Sequence, residues 1–137
     1  MNHPVDTDPA LWSRAPRFGV AGGPDSVVLT AEGRARAFSV GAQVRRGEPA
    51  EALEALANAG GEGALSLRQG ARLTPTDLGR FTQLAWGVLR SLGHVESEGD
   101  RVRLTDAGRA AVQRGHDERT RLLARCRAAA GPADNRP

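Results

Sequence analysis

Residues 91–112 (Ser-Leu-Gly-His-Val-Glu-Ser-Glu-Gly-Asp-Arg-Val-Arg-Leu-Thr-Asp-Ala-Gly-Arg-Ala-Ala-Val) constrain the fold more than any other stretch of the chain. Gly93 closes an amphipathic helix. Residues 94–97 and 101–104 read as two strands joined by Glu98, Gly99 and Asp100, and Thr105 is placed to cap a further helix. Strand alternation turns Val95, Val102 and Leu104 inward and Arg101 and Arg103 outward. A short hairpin directly after a buried helix makes the chain α+β and mostly helical.

The clearest helix is expected over 75–92, capped by Thr74 and opened by Pro75. Leu78, Phe81, Ala85, Val88, Leu89 and Leu92 recur at three- and four-residue steps and form one apolar face. Thr76, Arg80, Gln83, Gly87 and Arg90 form the opposite polar stripe. Trp86 flanks the apolar face and is expected to be half exposed, either packed on an N-terminal hairpin or free to meet a protein partner. Upstream, strands are expected over 17–20 and 26–29, around the turn cluster Ala-Gly-Gly-Pro-Asp. Thr30 then caps a helix over 31–46, with Glu32 favourably placed in its first turn. A second helix runs over 49–59, buries Leu53, Leu56 and Ala57, and stops at Gly60-Gly61. A brief strand fits 62–64, and a short helix is expected over 65–72, weakened by Gly70. The last helix is expected over 106–129 with an interruption at Gly115. Residues 1–16 read as a flexible tail that Trp12 could pin to the body, and 131–137 as a disordered end.

An internal echo links 25–35 with 100–110: seven of eleven positions agree at an offset of 75. Both segments read turn, strand, threonine cap, helix. The tail over 1–16, ahead of the first expected strand, cannot hold a helix-turn-helix, so convergence on one strand-to-helix junction is the favoured reading over a decayed duplication.

With 137 residues the chain can bury a core as one domain without metal or disulfides. The single cysteine, Cys126, excludes an internal disulfide and a cysteine-rich zinc site. No apolar run is long enough to span a bilayer, and the start lacks a secretory pattern, so a cytoplasmic protein with no membrane contact is expected. The formal net charge is +3, which suits an anionic partner. All 19 basic residues are arginine, however, and Lys, Ile and Tyr do not occur. That composition points to a GC-rich genome, so part of the arginine excess reflects codon usage. The distribution is more telling. Residues 48–64 carry four glutamates and no base; 65–93 carry Arg68, Arg72, Arg80 and Arg90 against Asp77; 101–128 carry eight arginines against Asp106, Asp117 and Glu118.

These pieces together resemble the winged helix-turn-helix superfamily over residues 49–112. The carrying motifs are Ala52-Leu-Glu-Ala-Leu56 as first helix, 65–72 as second, Thr74-Pro-Thr-Asp-Leu through Val88-Leu-Arg-Ser-Leu-Gly-His-Val-Glu96 as third, and Asp100-Arg-Val-Arg-Leu-Thr-Asp-Ala-Gly108 as wing. The helix ending and the wing look like those of many bacterial transcriptional regulators. The resemblance implies a winged-helix domain over 49–112, with a hairpin-and-helix extension over 17–48 and a C-terminal helical extension over 113–130. It implies that helix 75–92 enters the major groove of duplex DNA. Arg80 and Gln83 then read bases, Thr74 and Thr76 reach phosphates, and Arg101 and Arg103 touch the backbone or minor groove. Arg72 and Arg90 complete the expected DNA-binding set. One departure is the acidic wing tip, Glu98-Gly99-Asp100. The alternative is a winged-helix protein-interaction module acting on a transcription or replication complex through Trp86.

No catalytic, cofactor or metal constellation emerges. His3, His94 and His116 are scattered, and His94 reads as a partly buried structural histidine. The serines lack nucleophile-elbow or triad context, and Gly19–Gly23 lacks a phosphate-loop lysine or dinucleotide fingerprint. Arg125 and Arg127 beside Cys126 would lower its thiol pKa if it were exposed, though a bystander cysteine is the plainer reading. The apolar strip Leu122, Leu123 and Cys126 needs a covering surface, from which a homodimer through the C-terminal helix is expected.

Overall fold

The computed structural model describes residues 20–21, 27–67, 70, 72–75 and 77–134. The expected tail 1–16 with Trp12, the strand start at 17–19, most of the turn at 22–26, Arg68, Thr76 and the end at 135–137 lie outside the described residues. The element order is β1 (Val20–Ala21), β2 (Val28–Leu29), α1 (Ala31–Ala42), α2 (Glu48–Asn58), β3 (Glu62–Ala64), a 3₁₀ turn (Leu78–Arg80), α3 (Gln83–Ser91), β4 (Val95–Glu98), β5 (Arg101–Leu104) and α4 (Asp106–Asp134). The chain is thus α+β, with two small antiparallel sheets: β1 paired with β2, and β3-β5-β4 with β5 in the middle.

Two of the helices start as their threonines dictate. Thr30 Oγ1 accepts from the Gly33 amide at 3.0 Å, and Thr105 Oγ1 accepts from the Gly108 amide at 3.0 Å. The sequence echo is therefore one capping geometry used twice, each time where a strand runs into a helix. Helix α1 stops four residues short of expectation. Gln43 takes a left-handed conformation (φ 57°), and Val44 turns back into the core, its amide donating to Ser39 O. Helix α2 follows its apolar pattern, with Ala52, Leu53 and Leu56 fully enclosed. The following strand β3 occupies the expected 62–64.

Two expectations fail between β3 and β4. The helix expected over 65–72 is not formed by Leu65, Ser66 and Leu67, which follow β3 as irregular chain. Asp100 holds them there: its carbonyl accepts from the Leu65 amide at 2.7 Å and its carboxylate from the Ser66 amide at 2.9 Å. The helix expected over 75–92 is two pieces. Leu78–Arg80 form a 3₁₀ turn, Phe81 and Thr82 are extended, and α3 begins only at Gln83 with Thr82 as its cap. Thr74 is accordingly no helix cap; its amide donates to the Asp77 carboxylate at 2.7 Å. The break follows from tertiary contacts. A methyl group at Gly79 would lie 2.1 Å from Leu65 O, and Phe81 packs edge-on to Trp86 at 5.9 Å. Leu78 and Phe81 remain buried, so the apolar pattern survives while the helix does not. The extended pair also rotates the face that follows. Trp86, expected half exposed, is 0% exposed, and Leu92, expected inside, is 45% exposed.

The hairpin is as expected. Val95, Val102 and Leu104 are buried, and Arg101 and Arg103 point outward. Thr105 ties its base together by donating to Gly93 O at 2.6 Å. Helix α4 runs unbroken through Gly115 and on past 129 to Asp134, a length of about 43 Å. Gly115 is where α1 comes nearest: a methyl group there would sit 2.5 Å from the Phe38 ring, and one at Gly41 would sit 2.2 Å from Arg114 O. The two glycines let α1 and α4 pack almost backbone to backbone, so Gly115 serves the crossing and not a helix break. Arg119 then ties three helices. It forms a two-pronged ion pair with Glu54 of α2, donates to Arg34 O of α1 at 2.8 Å, and lies over Phe38 at 4.9 Å.

Beyond the main core, Leu123 and Cys126 pack with Val27 and Leu29 in a small separate cluster. Val27 and Leu29 thus cover part of the apolar strip from which a homodimer is expected. Burial there pushes the Cys126 thiol pKa up against the opposing effect of Arg125, so the lowering expected of an exposed thiol does not operate at this half-buried one. Among the described residues no helix is long and apolar enough to cross a membrane.

Candidate nucleic-acid interface

Helix α3 is held from behind and open in front. Ala85, Trp86 and Leu89 are buried, while Gln83, Leu84, Arg90 and Ser91 are exposed, Leu84 at 74%. Gly87 lies between them with nothing within 4 Å of where a side chain would begin. The outer face therefore presents Gln83, Leu84, Gly87 and Arg90 on a shaft anchored in the core. No Asp or Glu occurs from residue 78 to 95, where Arg80 and Arg90 stand alone as charges apart from His94.

The eight residues expected to form one DNA-binding set fall into three groups. Gln83 and Arg90 share the exposed side of α3, seven residues apart. Arg72, Thr74 and Arg80 are exposed in the segment before it. Arg80 is partly committed, with its guanidinium 4.0 Å from the Phe81 ring centre and a 3.3 Å bond to Pro75 O. Thr74 is engaged with Asp77, and Thr76 lies outside the described residues. Arg101 and Arg103 form the third group, on the outer face of the three-stranded sheet.

That sheet face is not a basic wing. Arg103 stands opposite Glu62 on one side and Glu96 on the other, and Arg101 stands opposite Glu98. Arg103 bonds Glu96 at 2.7 Å and 2.9 Å, and Arg101 lies 3.9 Å from Glu62. The hydrogen bond to Glu96 holds Arg103 still more firmly charged. Three glutamates face two arginines, so the face carries a net negative charge. Alternation placed both arginines outward correctly, on the same side as Glu96 of their own hairpin; it could not see that β3 brings Glu62 beside them.

Sequence reasoning missed Glu48. It opens α2, and its carboxylate accepts from the Thr82 amide at 2.8 Å and from the Thr82 hydroxyl at 2.7 Å. These two bonds hold its pKa below the ordinary carboxylate range. No local signal could have revealed a contact across 34 residues. Asp100 was missed in another sense: the acidic wing tip, set down as a departure, is the clamp on Leu65 and Ser66.

His94 is buried as expected. Burial lowers its pKa, with a further push from Arg114. Its Nδ1 and the Trp86 Nε1 are both buried without a hydrogen-bond partner among the described residues. No group of three His, Cys, Asp or Glu among the described residues could hold a metal ion. Comparison with protein-family models, with curated proteins and with solved structures finds no match to this chain.

Proposed function

We propose that this chain binds duplex DNA through the outer face of α3, as a small winged-helix regulator of transcription. The observation that carries the reading is the exposed face of Gln83, Leu84, Gly87 and Arg90, to which the helix itself contributes no acid, with the rear of the helix locked by Trp86 and Leu89. Gln83 suits adenine and Arg90 suits guanine or a phosphate, while Leu84 offers an apolar contact to a thymine methyl. Gly87 lets the helix approach a groove wall closely. The order α2, β3, α3, β4, β5 with β5 central in the sheet is compatible with a winged helix and supports the reading.

The role of the sheet is revised from the sequence expectation. Arg101 and Arg103 face Glu62, Glu96 and Glu98, so they contribute little attraction for phosphate. Arg72 and Arg80 supply charge in the segment before α3 instead. Titration of random duplex DNA against salt tests this reading. Binding that weakens linearly in log–log form supports a phosphate-contacting surface, and absence of binding at low salt overturns it.

A second reading has its own support. Leu84 at 74% exposure and the mixed-charge sheet face suit a protein partner better than a polyanion. In that reading the contact residue is Leu84, because Trp86 is enclosed. Retention of a protein partner that Leu84→Glu releases, without DNA binding, favours it.

A further inference from the structure

We infer that Glu48 acts as a built-in counter-anion at the start of α3, weakening non-specific phosphate binding there so that the helix must engage DNA through its side chains. The inference rests on the DNA-binding reading and concerns the regulation of that same face.

The N-terminus of a helix concentrates partial positive charge and free amides, and attracts phosphate. In α3 the cap residue is Thr82, whose hydroxyl accepts from the Ala85 amide at 3.3 Å. The Glu48 carboxylate sits on that cap, accepting both the Thr82 amide and the Thr82 hydroxyl. A full negative charge thus stands directly before Gln83 and Leu84, which open the exposed face. The two bonds keep Glu48 ionised well below neutral pH, so the charge is permanent under ordinary conditions. Arg45 and Arg46 precede it and are exposed.

A capping role alone does not require a charge. The Thr82 amide donates to one carboxylate oxygen and the Thr82 hydroxyl to the other, so a glutamine, with a single oxygen, keeps the bond from the amide and meets the hydroxyl by donating to it from its NH2 group. Glu48→Gln in the full chain therefore removes the charge while keeping a hydrogen-bonded side chain on the cap, and thermal unfolding reads any loss from the altered second bond. The experiment is fluorescence anisotropy with random-sequence duplex DNA across a salt series, with thermal unfolding of each protein alongside. The expected result is about three- to tenfold tighter binding by Glu48→Gln at low salt, with a log–log slope steeper by up to about one. Binding by the wild-type chain with an unchanged or weaker affinity and an unchanged slope in a folded Glu48→Gln overturns the inference, leaving Glu48 as a strut between α2 and α3. If Glu48→Gln fails to fold, Glu48→Asp, which draws the charge back from the cap, is compared: an unchanged affinity and slope overturns the inference. Failure of the wild-type chain to bind at any salt overturns the DNA reading and this inference with it.

Discussion

Arg119 does more for this fold than any other polar side chain. Its guanidinium is 9% exposed and its partner Glu54 is 25% exposed, so the pair is mostly out of water. Removing one member of such a pair strands the other, at about 3–5 kcal/mol for full burial. With Glu54 a quarter exposed, Arg119→Leu should cost about 3 kcal/mol, read from urea unfolding. Arg119→Leu combined with Glu54→Leu should recover part of that loss, because no uncompensated charge remains. Acid should have a related effect in two windows. His94 is held neutral by burial, so its pKa in the fold lies below the usual value near 6.5. The unfolded chain then binds its proton first, and stability should fall as pH drops below about 6.5. Glu54 lies below the ordinary carboxylate value because of its bond to Arg119. Its contribution is present above about pH 4.5 and is lost as pH falls through its depressed value. His94→Phe should remove the first slope and Glu54→Gln the second, in urea midpoints measured from pH 7 to pH 3.

Two junctions and one crossing carry the elements. Thr105 both caps α4 and holds Gly93 O, so Thr105→Ala should cost about 1–2 kcal/mol, the upper part of the usual range for a lost cap. The crossing of α1 and α4 leaves no room at Gly115. Gly115→Ala gains roughly 1 kcal/mol in helix propensity but drives a methyl into Phe38, so a net loss of about 1–2 kcal/mol is expected in thermal unfolding. A net gain would mean that the two helices separate easily. The broken helix before α3 is a lesson in how elements are chosen. Leu78 and Phe81 meet the helical period and are buried, yet the chain between them and α3 is extended. Burial of an apolar stripe can be met by a turn plus a helix as well as by one helix, and the Thr82 cap held by Glu48 selects the former.

The molecule has a main core, in which α1, α2, α3 and the three-stranded sheet meet the first half of α4, and a satellite in which Val27 and Leu29 pack on Leu123 and Cys126 of its second half. Val27 is the buried residue of the satellite. Val27→Ala should uncover Leu123 and Cys126, lower the thiol pKa toward its ordinary value, and raise the rate of thiol labelling several-fold while the main core stays folded. The outer surface divides in a similar way. If α3 contacts DNA, Arg90→Ala should weaken binding to random duplex about fivefold and flatten the salt slope by nearly one. Arg103→Ala should change both little, since Glu62 and Glu96 already offset that charge. Equal losses from the two substitutions would restore the sheet as a phosphate-contacting wing.

The local pattern by itself determined the hairpin, its inward and outward residues, the threonine starts of α1 and α4, the glycine-stopped α2 and the buried His94. Each of these rests on neighbours within a few residues: an alternation of two, a cap three residues away, a glycine at a helix end. Tertiary structure alone decided the rest. The break before α3, the enclosure of Trp86, the clamp of Asp100 on Leu65 and Ser66, the Arg119–Glu54 pair and the Glu48–Thr82 contact join residues 34 to 65 positions apart or turn on such contacts. Charge shows the divide most clearly. Composition and position count the arginines, but what an arginine offers a partner depends on the acid that the fold sets beside it. Arg90 emerges from a helix that carries no acid and reaches the Ser97 hydroxyl at 3.5 Å, and Arg103 emerges between Glu96 of its own hairpin and Glu62, which chain proximity could not have placed there.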